Sequence, residues 1–163
     1  AGGRPGPWVS LVPVQPRGSR PPLYCIHAAG GGVLVYRHLA ARLGMDQPVY
    51  GLQARSLESG QGEEGCLEET AARYVREILA FQPEGSYCLC GLSVGGLIAL
   101  EMARQLRAGG YTVPLLAMVD TWGPGYAMPF GIAALPRRVC RAALRPFLML
   151  PGYRLLHGVK AAT

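Results

Sequence analysis

The pentapeptide Gly91-Leu92-Ser93-Val94-Gly95 has the residue types and spacing of a covalent nucleophile site. Apolar residues lead into it, and a helical pattern rich in Leu, Ile, Ala and Met leads out, over 86–106. A serine on so sharp a turn between strand and helix sits in a strained backbone conformation, and its neighbours two positions either way must lack a Cβ or the two elements collide. Gly91 and Gly95 meet that need. The turn carries the Ser93 hydroxyl out of the sheet at the N-terminus of the next helix, where free N–H groups and the helix dipole favour developing negative charge. This is the layout of a nucleophile elbow for acyl transfer, with the Val94 N–H as half of an oxyanion hole. Taken alone, a glycine-rich turn before a helix could equally cradle a phosphate; the setting between an apolar strand and a buried helix favours the nucleophile.

A tetrahedral acyl intermediate needs a second backbone donor, from a loop after an earlier strand. The run Ala28-Ala29-Gly30-Gly31-Gly32 can supply it, because small residues let the backbone approach a substrate oxygen closely; an ordinary glycine-rich turn is the alternative. Asp120 ends the apolar run 113–119, one element past Ser93, and is the only acidic residue after Glu101. A carboxylate there could orient an imidazole and stabilise it when protonated, or could cap the following turn. In this layout the chain order is Ser, Asp, His, so the general base should follow Asp120. Of His27, His38 and His157 only His157 does, and it sits in a basic amphipathic stretch with no buried strand ahead of it to supply rigid positioning. His27 reads as part of the oxyanion loop and His38 as a helix-surface residue.

The elements that must position these groups are legible as alternating runs. Residues 1–22, dense in Pro, Gly and Arg, read as a linker running into an edge strand through the apolar alternation 9–14. A strand follows over 23–27, a helix over 36–43 that stops at Gly44, and a second strand over 48–53. Over 66–81 the residues Leu67, Tyr74, Val75, Ile78 and Leu79 form a helical stripe with Glu68 and Glu69 early and Arg73 and Arg76 later, an order that suits the helix dipole; Pro83 ends it. The elbow helix closes at Gly109-Gly110 and a further strand covers 113–119. Strands and helices alternating with short connections imply an α/β fold, a mainly parallel sheet flanked by helices, whose chemistry collects at the carboxyl ends of the strands, where His27, Ser93 and Asp120 all lie. The expected division is a linker at 1–22, a core at 23–128 and a basic, partly helical cover at 129–163, broken by Pro136, Pro146 and Pro151.

With 163 residues, half of them apolar, the chain can bury the core of one domain. No uncharged apolar run is long enough to span a bilayer, and the N-terminus has no apolar segment of a secretory signal, so a cytoplasmic setting without a membrane is expected. Cys25, Cys66, Cys88, Cys90 and Cys140 have no paired metal-ligand spacing and read as thiols, not as a metal site. Residues 1–128 hold ten Arg and ten acidic residues, so the whole net charge of +6 comes from Arg137, Arg138, Arg141, Arg145, Arg154 and Lys160 in the last segment. That basic face could attract an acidic protein, nucleic acid or anionic lipid, or could simply be a solvated helix face.

Beyond the pentapeptide, four stretches carry a resemblance: Leu-Val-Pro-Val-Gln-Pro before Pro-Pro-Leu-Tyr-Cys-Ile-His-Ala-Ala-Gly-Gly; Ala-Arg-Tyr-Val-Arg-Glu-Ile before Gln-Pro-Glu-Gly-Ser-Tyr; Gly-Leu-Ser-Val-Gly-Gly-Leu-Ile-Ala-Leu-Glu-Met-Ala; and Leu-Leu-Ala-Met-Val-Asp-Thr. On these the chain resembles the α/β-hydrolase thioesterase domain that ends modular nonribosomal peptide and polyketide synthases. The resemblance implies Ser93 as nucleophile, Asp120 as orienting acid, the N–H groups of Ala29 and Val94 as oxyanion donors, and His27, Gly30, Gly31, Gly91 and Gly95 as supporting motif positions. Ala28 stands where the family more often has Pro or Gly, which leaves a backbone donor intact. The family places a helical lid from about Pro129 and its histidine after further sheet, past residue 163, so the sequence is expected to be truncated at its C-terminus without its final sheet elements. The implied reaction takes an acyl or peptidyl chain from the phosphopantetheine of a carrier domain, upstream in the same polypeptide, onto Ser93, and releases it by hydrolysis or cyclisation. No bound cofactor, metal or nucleic-acid partner is implied. Two rivals stay open: a free-standing editing thioesterase or esterase, and a noncatalytic hydrolase-like binding fragment.

Overall fold

The computed structural model describes residues 10–54 and 66–121. Within them the chain runs β1 (Leu11–Gln15), β2 (Leu23–Ile26), a 3-10 turn (Leu34–Tyr36) continuing into α1 (Arg37–Leu43), β3 (Val49–Leu52), α2 (Leu67–Phe81), β4 (Ser86–Leu92), α3 (Val94–Ala108) and β5 (Thr112–Val119). The strand order is β1-β3-β2-β4-β5. β3, β2, β4 and β5 are mutually parallel, and β1 joins the edge antiparallel to β3. The sheet flanked by helices is the expected fold class. The proposed lid at 129–163, with His157 and Cys140, lies outside the described residues, as do residues 1–9.

Helix–sheet packing follows from the stripes in the sequence. On α2, Leu67, Ala71, Tyr74, Val75 and Ile78 recur at three- and four-residue spacing and are all buried. They meet Tyr24, Ile26, Leu52, Tyr87 and Leu89 of the sheet and Ala99, Met102 and Leu106 of α3. Each such large apolar side chain contributes about 1.5–3 kcal/mol on full burial. On the opposite face a smaller cluster places Leu23, Cys25, Val49 and Cys90 beneath Val33, Tyr36 and Ala40. α1 stops at Gly44, whose φ of 87° is open to glycine without a Cβ penalty.

The edge strand is held by α2. The Glu77 carboxylate accepts the backbone N–H groups of Ser10 (2.6 Å) and Leu11 (3.1 Å), two donors at the start of β1. Pro13 lies within β1 and has no N–H to give, which an edge strand tolerates. At the head of α2, the Glu69 carboxylate accepts the Cys66 N–H (3.1 Å), the return arm of a capping box.

Candidate active site

Ser93 stands between β4 and α3 with φ 56° and ψ −123°, one of two described non-glycine residues with positive φ. A β-carbon-bearing residue adopts this conformation only where its surroundings over-determine it, and here they do. The Ser93 N–H donates to Val119 O (2.9 Å), and Ser93 O accepts both the Gly96 N–H (3.0 Å) and the Thr121 hydroxyl (2.9 Å). Although Ser93 occupies the N-cap position of α3, its side chain makes no capping bond, and the residue is exposed. The hydroxyl is therefore presented outward instead of being absorbed by the helix end.

The glycines on either side are sterically required, each against a different neighbour. A Cβ on Gly91 would overlap the Gly95 carbonyl oxygen, so strand and helix could not pass. A Cβ on Gly95 would overlap the His27 carbonyl oxygen, so that glycine admits the end of β2, not of β4. Gly96, which the pentapeptide pattern does not single out, faces the Thr121 side chain, and a Cβ there would overlap Thr121 Oγ1. Close approach of α3 to the His27 backbone brings the 28–31 turn beside the head of α3.

That turn is built tightly. The Gly31 N–H donates to Ala28 O (2.8 Å), Gly31 has φ 75°, and Gly31 O accepts the Ala54 N–H (2.9 Å). Ala29 and Gly30 are exposed at its apex. Among the described residues, the amides of Ala29 and Val94 donate to no other group. Two unspent N–H groups at adjoining backbone turns beside an outward serine hydroxyl can stabilise an oxyanion formed there.

The register sets the remaining geometry. Ile26 pairs with Gly91 and Leu92 with Val119, so His27, Ser93 and Asp120 follow directly from three adjacent strand ends. Asp120 has φ 49° and is exposed, and its carboxylate accepts no hydrogen bond from a described residue. His27 is buried, its ring bonded to Ala28 O through Nδ1 and to the Tyr74 hydroxyl through Nε2, both at 2.8 Å. His38 is exposed on α1, where Nε2 accepts from Arg37 Nε (3.1 Å). Gly30 and Gly31 lie in the turn as described, and His157 lies outside the described residues.

Below the strand ends, Cys25 and Cys90 are register partners on β2 and β4, both buried. A thiol–thiol hydrogen bond with Cys90 and then burial push the Cys25 thiol far above the usual range, so it is held protonated. The nearby Tyr36 hydroxyl, raised by burial, donates to Ile26 O (2.7 Å). Among the described residues no three His, Cys, Asp or Glu side chains gather as a metal site, and no helix is long and apolar enough to cross a membrane.

Sequence reasoning missed Gly96, Thr121 and Tyr74. Thr121 closes the stretch Leu-Leu-Ala-Met-Val-Asp-Thr, so its place after Asp120 is the available signal; Tyr74 belongs to the helical stripe over 66–81, and only the fold brings its hydroxyl to His27.

The thioesterase domain family model matches residues 21–130. The chain is 44% identical over 111 residues to the malpinin synthetase of Mortierella alpina, an overlap of 68% of this chain and 1% of that protein. It is 43% identical over 121 residues to the dimodular nonribosomal peptide synthase of Bacillus subtilis (strain 168), covering 73% of this chain and 5% of that one. Among solved structures it aligns with the NocB thioesterase domain from the nocardicin cluster at TM-score 0.64 and 34% identity, covering 69% of this chain and 50% of that domain. The chain thus spans a small part of the synthetases it matches.

Proposed function

This chain belongs to the thioesterase domain family of serine hydrolases with the α/β-hydrolase fold, and from that premise we propose that Ser93 takes an acyl or peptidyl chain from the phosphopantetheine thioester of a carrier domain. The observation that carries this reading is the exposed Ser93 at φ 56°, its side chain making no capping bond, at the head of a helix that approaches the His27 backbone just ahead of the 28–31 turn. Ser93 Oγ attacks the thioester carbonyl carbon as its proton passes to a base. The carbonyl oxygen becomes the oxyanion that the Ala29 and Val94 amides hold. The C–S bond then breaks, the phosphopantetheine thiol leaves with a proton, and an ester to Ser93 remains. Water, or a nucleophile within the chain, attacks that ester and releases an acid or a ring.

Asp120 is the orienting acid in this scheme, its bare carboxylate at the neighbouring strand end available to an imidazole N–H. Neither described histidine suits the base, because the His27 ring is engaged with Ala28 and Tyr74 and His38 lies on the surface of α1. The base belongs after Asp120 in the chain and after further sheet, a place that His157, in a basic amphipathic stretch of the sequence, does not fill. The carrier domain lies upstream in the same polypeptide, and the setting is the cytoplasm, which suits the buried thiols of Cys25 and Cys90.

The test is release of a carrier-bound acyl thioester by the full-length protein and its Ser93→Ala variant. A loss of about three decades or more in turnover is expected. Unchanged release would assign the chain to a noncatalytic binding role, and faster turnover of a simple oxygen ester than of the carrier thioester would assign a general esterase.

A further inference from the structure

We infer that His27, held by Tyr74, is a positioning residue that aims the Ala29 amide at the oxyanion; this rests on the proposed donor role of Ala29. A peptide unit is planar and trans, so its C=O and N–H point in opposite directions. The unit joining Ala28 to Ala29 is clamped by its oxygen: Ala28 O accepts the Gly31 N–H and faces His27 Nδ1, each at 2.8 Å. Two anchors on the carbonyl side fix the direction of the Ala29 N–H on the other. One anchor belongs to the turn itself, and the second comes from a side chain.

The proton on His27 follows from its partners. A carbonyl oxygen only accepts, so Nδ1 carries the hydrogen and donates to Ala28 O. In the neutral ring Nε2 then presents a lone pair, which the Tyr74 hydroxyl satisfies at 2.8 Å. The Tyr74 hydroxyl has one proton to give, and it goes to Nε2 at 2.8 Å in preference to Gln53 O, which lies farther off at 3.2 Å. The Tyr74 and His27 rings meet edge to face, with centroids 5.9 Å apart. His27 is 4% exposed and Tyr74 is fully buried, so the bond between them is shielded from competing water, while the His27–Ala28 bond is part-buried at the edge of the turn. A chain of contacts therefore runs from the core helix α2 through an imidazole to one peptide plane at the mouth of the site. The lesson for catalysis is one of preorganisation: a donor already fixed in direction needs no rearrangement when charge develops.

The test pairs two substitutions that separate the two ring nitrogens. His27→Asn keeps an N–H donor near the Nδ1 position, whereas His27→Gln reaches only towards the Nε2 position. In the full-length protein, kcat for acyl-thioester release should fall about tenfold or more in His27→Gln at unchanged KM, and stay within about threefold of the parent in His27→Asn. Equal kcat in the two variants, with equal thermal stability, would overturn the inference. Nitrogen-15 NMR supplies a readout independent of turnover: the His27 ring should carry its proton on Nδ1, and the Ala29 amide resonance should move in His27→Gln. A ring protonated on Nε2 alone, or an unmoved Ala29 amide, overturns it. If both His27 variants unfold, Tyr74→Phe carries the test through the same Ala29 resonance and kcat, and no change in either counts against the inference. Ser93→Ala, run beside them, separates failure of this inference from failure of the thioesterase reading, since the latter leaves turnover insensitive to Ser93.

Discussion

At the scale of single residues, the site is made by backbone that ordinary side chains cannot occupy. The Gly91 contact with the Gly95 carbonyl leaves no room for a methyl group, and both partners are main chain, so neither can rotate away. Gly91→Ala is expected to destabilise the fold by about 3 kcal/mol, read as a lower urea midpoint at unchanged slope. Asp120 poses the opposite case, because its φ of 49° is a conformation that Asn shares readily. Asp120→Asn should therefore leave the unfolding free energy within about 0.5 kcal/mol of the parent while lowering thioester turnover by about four decades. The serine turn and its two flanking glycines were readable from five consecutive residues, since the steric demand is local. The reason for Gly95 was not, because the oxygen it admits belongs to His27, on another strand. His27 and Tyr74 stand 47 positions apart, and no spacing rule relates them.

At the scale of elements, apolar periodicity located every described strand and helix to within a few residues, because each buries a continuous stripe or run. What periodicity does not encode is direction: the 9–14 alternation marked an edge strand, but its antiparallel pairing with β3 depends on the path from Gln15 to Leu23. The clamp from Glu77 was likewise invisible, being a contact between a helix face and two amides more than sixty residues earlier. Those charge-assisted bonds are the anchor of β1 on α2. Glu77→Ala is expected to speed amide hydrogen exchange at Leu11 and Val12 while leaving β2 and β4 protected; uniform acceleration through the sheet would mean that β1 is not a separately opening unit.

At the scale of the whole molecule, acid stability is drawn partly from α3. Burial alone would raise the Glu101 pKa, but hydrogen bonds from Arg104 and Gln105, with the Arg104 charge, outweigh it and hold the carboxyl below the usual carboxylate range. A carboxylate depressed in the folded state stabilises above its unfolded pKa, about 4.3 for Glu, and that contribution is lost as pH falls through the lower folded value. Glu101→Gln should flatten the fall in stability between about pH 5 and pH 3, measured by urea unfolding. The same molecule ends its described sheet on β5, which pairs with β4 along one side and, among the described residues, with nothing along the other. Its residues 113–119 carry no charge, and Leu115 and Val119 are 39% and 48% exposed. Pro114 removes only one donor from that rail. Produced as an isolated fragment ending near Thr121, the protein would offer a sticky template for strand addition, so inclusion bodies and concentration-dependent fibrils are the natural fate of that fragment.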